Sequence, residues 1–178
     1  MTTKRWDAFY FETDRLYLLA CNQPMLEALT KGDQAVTEYL QITVPPKWSI
    51  FGASIYNYTL LQLKKKPADY IWWTYLAILK NTRTLIGAGG FKGAPDADGV
   101  VEIGYEISKA YQGQQFATEM AKGLIDFAFS HEVVNTVQAH TAAKNNASTS
   151  VLKKCGMKRV QTIDLGKEGT IWQWKLKR

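Results

Sequence analysis

The sequence predicts a mixed α/β fold of the α+β kind, and two features of its 178 residues carry that expectation. Segments rich in β-branched and aromatic residues fill the middle and the end of the chain, and one clean amphipathic helix separates them. Strands early, a crossover helix and then more strands build a mixed sheet flanked by helices. A hydrophobic content of 46% is enough for a core without disulfide or metal staples. No Pro-, Gly- or Ser-rich linker, internal repeat or low-complexity run divides the chain, so one domain is expected over residues 1–178.

The elements follow in order. Arg15-Leu-Tyr-Leu-Leu-Ala20 reads as a first strand, ending before Asn22-Gln23-Pro24. Pro24 suits the first turn of a short helix through about Thr30. A second helix covers Gln34 to Gln41, and Pro45-Pro46 then forces an extended break. Ser49 to Lys66 is a longer helical candidate, stopped at Pro67. Tyr70 to Leu79 is aromatic and aliphatic, a β signature, and Asn81-Thr82 turns it into a strand over Thr84–Phe91. Gly93 to Gly99, with Pro95-Asp96, is a loop. In Val100–Ile107, Val101, Ile103, Tyr105 and Ile107 share one side; Glu102, Gly104 and Glu106 share the other. From Ala117, Met120, Ala121, Leu124, Phe127 and Ala128 form an apolar stripe, with Thr118, Lys122 and Asp126 facing away. A strand over Thr136–Thr141 leads to a helix from Ala147 to Cys155, closed by Gly156. Lys158–Leu165 and Thr170–Lys177 are the last strands.

Charge and cysteines narrow the function classes. The net charge is +6, from 22 Lys+Arg against 16 Asp+Glu, which suits a polyanionic partner such as nucleic acid, a membrane surface or a phosphate-rich cofactor. The basic residues are scattered, and the one dense cluster, Lys64-Lys65-Lys66, closes a helix where cations favour the negative dipole end. No basic–aromatic stripe supports nucleic-acid binding. No run reaches the ~18 apolar residues of a membrane helix. Nothing at Met1-Thr-Thr-Lys-Arg-Trp-Asp resembles an export signal. Cys21 and Cys155 form no metal-binding pattern. A cytoplasmic protein without a metal is expected.

The chemistry concentrates between Glu102 and Met157. Gln112-Gly-Gln-Gln-Phe-Ala117 feeds a helix N-terminus, whose unpaired N–H groups and positive dipole end make a seat for pyrophosphate. Gly113 permits close backbone approach. In isolation such a loop reads as an ordinary strand–turn–helix connection.

Its context changes that reading. Tyr105-Glu-Ile-Ser-Lys-Ala-Tyr-Gln-Gly-Gln-Gln-Phe-Ala-Thr-Glu-Met120 resembles the acetyl-CoA-binding motif of the GNAT acetyltransferase superfamily. Asn145-Asn-Ala-Ser-Thr-Ser-Val-Leu-Lys-Lys-Cys-Gly-Met157 resembles its second signature, and Glu12-Thr-Asp-Arg-Leu-Tyr-Leu18 the first strand of the branch containing ribosomal-protein N-terminal acetyltransferases. The resemblance implies a splayed central sheet of about six or seven strands. Acetyl-CoA, as co-substrate, would enter between the strands ending at Ile107 and Thr141, its thioester along Tyr105–Ile107. Gln112, Gly113, Gln114, Gln115, Phe116, Ala117 and Thr118 would hold the pyrophosphate, with Asn145 and Ser148 as further cofactor contacts. Gln115 departs from the family pattern, which has glycine there. Its side chain either crowds the phosphate or donates a bond of its own to it; the second is the favoured reading, so that Gln115→Gly is expected to weaken cofactor binding and to cost some stability.

Acetyl transfer to an amine also needs a proton acceptor. Glu102 is the first candidate, with a cross-sheet lysine pair as the competing reading. Glu106 lies nearer the cofactor loop. His140 is a second candidate, read first as structural, and His131 reads as loop. Where many members of the superfamily place a tyrosine to protonate the leaving thiolate, this chain has Leu152. Ser148 is the substitute, bonding the sulfur, while helix capping is the plainer role for Asn145 and Ser148. Cys155 reads as a small buried hydrophobe; Trp48, Trp72 and Trp73 could line a substrate pocket, but at this aromatic density they read first as core. The expected activity is N-acetylation of a small-molecule amine or a protein N-terminus. A catalytically silent CoA-binding or sensor domain is the alternative. A homodimer stays open; specific nucleic acid and membrane are not expected partners.

Overall fold

The structure is a computed structural model that describes residues 6–178. The segment read for an export signal begins at Met1, and its residues 1–5 lie outside that range. Eight strands form one sheet: β1 (Tyr10–Glu12), β2 (Leu16–Ala20), β3 (Thr74–Leu79), β4 (Leu85–Phe91), β5 (Val100–Ile107), β6 (Thr136–Ala142), β7 (Lys158–Asp164) and β8 (Thr170–Lys177). Their spatial order is β1-β2-β3-β4-β5-β6-β8-β7. Only β5 and β6 run parallel, as a strand–helix–strand crossover requires. The strand beyond the seven read from the sequence is β1, whose three residues are too few to show a period. Its pairing with β2, Tyr10 opposite Leu19, holds it.

Two apolar clusters sandwich this sheet. On one face α1 (Gln23–Lys31), α2 (Asp33–Leu40) and α3 (Ala53–Lys65) bury Met25, Leu26, Leu29, Val36 and Leu63 against Leu19, Leu76, Ile78 and Leu85. On the other, α4 (Phe116–Phe129) lays Met120, Leu124 and Ala128 on Leu18, Ala77, Ile86, Val101 and Ile103, and α5 (Ala147–Lys154) adds Leu152. The alternation in β5 therefore decides function: its odd residues face α4, and Glu102, Gly104 and Glu106 face the α1–α3 side.

Three local expectations change. The helix read from Ser49 begins only at Ala53, because Gly52 sits at φ +67° and residues 49–51 are held elsewhere by Glu106. The strand read from Tyr70 begins only at Thr74. Pro67 opens a 3-10 turn through Trp72 instead, and Trp72 is buried against Phe91 and Phe127. Thr118, expected to face away from the core, is buried, and its carbonyl accepts from Cys155 Sγ at 3.9 Å.

Candidate active site

The parallel strands β5 and β6 pair only at their first residues, Val100–Thr136, Val101–Val137 and Glu102–Gln138. Beyond Glu102 they part, and a cavity of about 810 Å³ occupies the opening. Its floor includes Gly89, Gly90 and Gly104, and a Cβ built on Gly104 would meet no atom within 4 Å. The missing side chain between Glu102 and Glu106 is what keeps the space. Glu102 and Ser108 bond their backbones to the β4 side, so by alternation the N–H and C=O groups of Ile103, Tyr105 and Ile107 turn toward the gap. The carbonyl of Ile107 is taken by Gln112 Nε2 at 2.8 Å, which ties the end of β5 to the following loop.

That loop is a cradle of donors. The backbone N–H groups of Gly113, Gln114, Gln115, Phe116, Ala117 and Thr118 have no hydrogen-bond acceptor among the described residues. Gly113 at φ +76° and Gln115 at φ +68° both take left-handed backbone, turning successive N–H groups inward. The first turn of α4 supplies the rest. Arg15, on the edge of β2, bonds the Gln114 carbonyl at 3.1 Å and stacks 4.0 Å over the Phe116 ring. It is anchored by Glu119, which accepts from Arg15 N and Nε, both at 2.7 Å, and from Thr13 Oγ1 at 2.6 Å. Burial pushes the Glu119 carboxyl up, but these donors outweigh it and hold it below the usual range. The donor set fits a phosphate-bearing anion.

The Gln115 side chain is turned toward α5. Its Oε1 accepts from Lys154 Nζ at 3.0 Å and from Thr118 Oγ1 at 3.4 Å. With left-handed backbone, the expected cost of Gln115→Gly reverses sign. Glycine there should raise stability by roughly 1 kcal/mol, read as a melting temperature about 2–4 °C higher. An unchanged or lower melting temperature would show that the Lys154 contact outweighs the backbone strain.

The two expected bases come together where the strands part. Glu102 Oε1 lies 3.0 Å from His140 Nδ1 and also pairs with Lys92, while Gln138 Nε2 donates to Oε2 at 3.1 Å. The lysine pair weighed from the sequence thus exists, just past β4. Burial pushes the Glu102 carboxyl up, but Lys92 and His140 together hold it below its ordinary value. The interaction therefore stabilises the fold above the usual carboxylate range and is lost only as pH falls through the lowered value. An ionised Glu102 has no proton to give, so Nδ1 carries the hydrogen, and in the neutral imidazole the lone pair is left on Nε2. His140 and Lys92 line the cavity; Glu102 stands behind them. Of the two, His140 lines the cavity and Glu102 does not.

Glu106 is buried and faces the loop before α3, accepting from Ser49 Oγ at 2.6 Å, Ile50 N at 2.7 Å and Phe51 N at 3.3 Å. Across the gap, the Tyr105 hydroxyl lies 3.3 Å from both Ser148 Oγ and the Ser148 carbonyl. Burial pushes this phenol up to about 12, so it stays protonated. The capping role considered for Asn145 and Ser148 belongs to Asn146, which forms a capping box with Thr149, and Asn145 is exposed. Ser148 is thereby free for the cavity it lines.

A family model described as an acetyltransferase (GNAT) domain matches residues 15–158, most of the chain and all of the site. The chain belongs to the GNAT acetyltransferase family. It is an acyltransferase by that membership. The N-acetyltransferase YjdG of Bacillus subtilis is 29% identical over 148 residues, 82% of this chain and 87% of that protein. Among solved structures, a ribosomal L7/L12 α-N-protein acetyltransferase in complex with coenzyme A superposes with a TM-score of 0.69 at 13% identity, covering 95% of this chain and 98% of that one. The ribosomal-protein-S5-alanine acetyltransferase of Vibrio fischeri gives 0.68 at 16%, covering 95% and 96%. At those identities the likeness is one of fold.

Several GNAT site residues escaped the sequence reading. Arg15 falls within the first-strand segment Glu12–Leu18, whose pattern marks no site role for it, and Lys92 lies outside the motifs and carries no local signal. Trp73 and Tyr58, whose rings meet edge to face at 5.9 Å, line the cavity, whereas Trp48 and Trp72 are core as expected. The neighbouring Trp72-Trp73 pair divides because one residue ends the 3-10 turn inward and the next turns to the opening. Among the described residues no group of His, Cys, Asp and Glu side chains is arranged to hold a metal, and no helix is long and apolar enough to cross a membrane.

Proposed function

We propose that this GNAT member transfers an acetyl group from acetyl-CoA directly to an amine, with His140 as the base. The parting of β5 and β6 carries the reading, since it opens a cavity lined by Tyr105, His140 and Ser148, and the phosphate-fitting loop follows the end of β5 in the chain. Acetyl-CoA supplies an acetyl thioester. Residues Gly113 to Thr118 would hold its pyrophosphate, and the backbone N–H of Tyr105, facing the gap, would bond the thioester oxygen as charge develops there. Asn145, exposed beside α5, is within the same reading a contact for the cofactor's outer part.

His140 Nε2 takes the proton of the attacking amine, and Glu102 steadies the imidazolium that forms. Ser148 and the Tyr105 hydroxyl, which line the cavity together with Leu152, act as hydrogen-bond donors to the departing sulfur. With a phenol raised to about 12, Tyr105 donates a bond rather than its proton. The family and the intact dyad favour catalysis over a silent sensor. The acceptor is a small-molecule amine or a protein N-terminus. The domain is taken to span 1–178, and the cytoplasm, where acetyl-CoA is made available to such enzymes, is its proposed location.

The cradle is tested without turnover. CoA at a hundredfold excess over its dissociation constant should stabilise the protein by about 2.7 kcal/mol; no thermal shift at millimolar CoA would sink the reading. Ser148→Ala should lower kcat roughly two- to tenfold, the worth of one neutral hydrogen bond, at unchanged melting temperature because the helix cap is Asn146. A lower melting temperature with full activity would assign Ser148 to structure alone.

A further inference from the structure

The acceptor side of the cavity is walled by Phe51, Ile55 and Tyr58 from α3 and its approach, and by Trp73 and Phe91 across it. Three of these apolar side chains are left open to solvent: Phe51 at 57%, Tyr58 at 56% and Ile55 at 43% exposure. Ile55 and Tyr58 lie three apart on the face of α3 that borders the cavity and Phe51 precedes that helix, so their exposure is concentrated at its mouth.

The charges around this wall are few. Lys92 and His140 both face Glu102, so the ion pair behind the imidazole offers no spare negative charge. Among the described residues Glu106 is the one carboxylate lining the space, and its partners, Ser49 Oγ and two backbone N–H groups, are neutral. One uncompensated negative charge therefore meets the incoming acceptor. A single ammonium balances it before His140 removes the proton. A second or third ammonium on the same molecule would find only aromatic faces and Lys92.

We infer that the acceptor is a primary monoamine on an apolar, preferably aromatic, body and not a polyamine. This rests on the acetyltransferase reading above. Its ammonium is drawn in beside Glu106, its body lies against Tyr58, Trp73 and Phe51, and its nitrogen reaches His140. A free arylalkylamine and a polypeptide that begins with an aromatic residue present the same chemistry, and the test separates them.

The enzyme saturated with acetyl-CoA is assayed against 2-phenylethylamine, spermidine and a short neutral peptide with an N-terminal phenylalanine. The expected result is a kcat/KM at least ~10-fold higher for the monoamine or the peptide than for spermidine, the better of the two naming the source. Spermidine equal or better overturns the inference while leaving the acetyltransferase intact. Trp73→Ala should raise KM for the aromatic acceptor roughly tenfold, as loss of a stacked aromatic surface implies, with kcat nearly kept and CoA affinity by calorimetry unchanged. Ile55→Glu, at a half-exposed helix position that the fold tolerates, should shift preference toward spermidine; no shift counts against the charge argument. If no acceptor turns over, quenching of tryptophan fluorescence by 2-phenylethylamine, absent in Trp73→Phe, still supports the site. No quenching overturns the inference, and calorimetry with CoA then says separately whether the acetyltransferase reading survives.

Discussion

His140→Gln should lower kcat by roughly 10²–10⁴-fold, the usual worth of a positioned general base, while CoA affinity stays unchanged. The imidazole lines the cavity and is oriented from behind by Glu102, at 3.0 Å from Nδ1. Glutamine keeps a polar side chain of similar reach, so the loss reports proton transfer and not packing. The loss should shrink as pH rises, because an amine that arrives deprotonated no longer needs a base. Glu102→Gln should cost less than His140→Gln. Its amide still bonds the ring, but if the NH₂ group donates to Nδ1 the hydrogen moves to Nε2 and the lone pair is lost from the cavity. A His140→Gln enzyme with full kcat at neutral pH would return the role to water or to Glu106.

Glu106→Leu should bring the largest combined loss of stability and acceptor binding. The carboxylate collects three donors, Ser49 Oγ, Ile50 N and Phe51 N, at a buried position. A leucine fills the volume but leaves those donors unpaired, at about 1–3 kcal/mol for each that water does not reach. The segment 49–52 then loses its tether, and with it Phe51 and the start of α3 that wall the acceptor. Acceptor KM should rise more than tenfold while CoA affinity changes little, because Gly113 to Thr118 lie on the other side of the sheet. Equal losses for both ligands would indicate general unfolding, which Glu106→Gln, retaining acceptor oxygen, would distinguish by restoring the melting temperature.

The motifs from Tyr105 to Met120 and from Asn145 to Met157 are local, and their reading depended only on short-range physics: alternation in β5, the turn into α4 and the cap of α5. Those elements lie where the sequence predicted them to within a residue or two. The errors have identifiable causes, one long-range and one local. Ser49 to Phe51 look helical until Glu106, more than fifty residues away, captures them, and Tyr70 to Trp73 look like a strand until Pro67 starts a 3-10 turn. Helix and strand propensities are weak beside a buried charge or a proline.

What the sequence by itself determined was the family, the mixed fold and the place of the turn that opens α4, because each rests on residues close together in the chain. Only the tertiary structure decided which acid–base group faces the cavity. Glu102 and His140 stand on neighbouring strands whose register, Glu102 opposite Gln138, brings the carboxylate to Nδ1 and leaves the imidazole foremost. The same holds for Gln115, whose left-handed backbone and contact with Lys154 no spacing in the chain reveals. Strand register and the packing of α5 on α4 are long-range choices, made by burial of both faces of the sheet at once, and a single strand's pattern does not contain them.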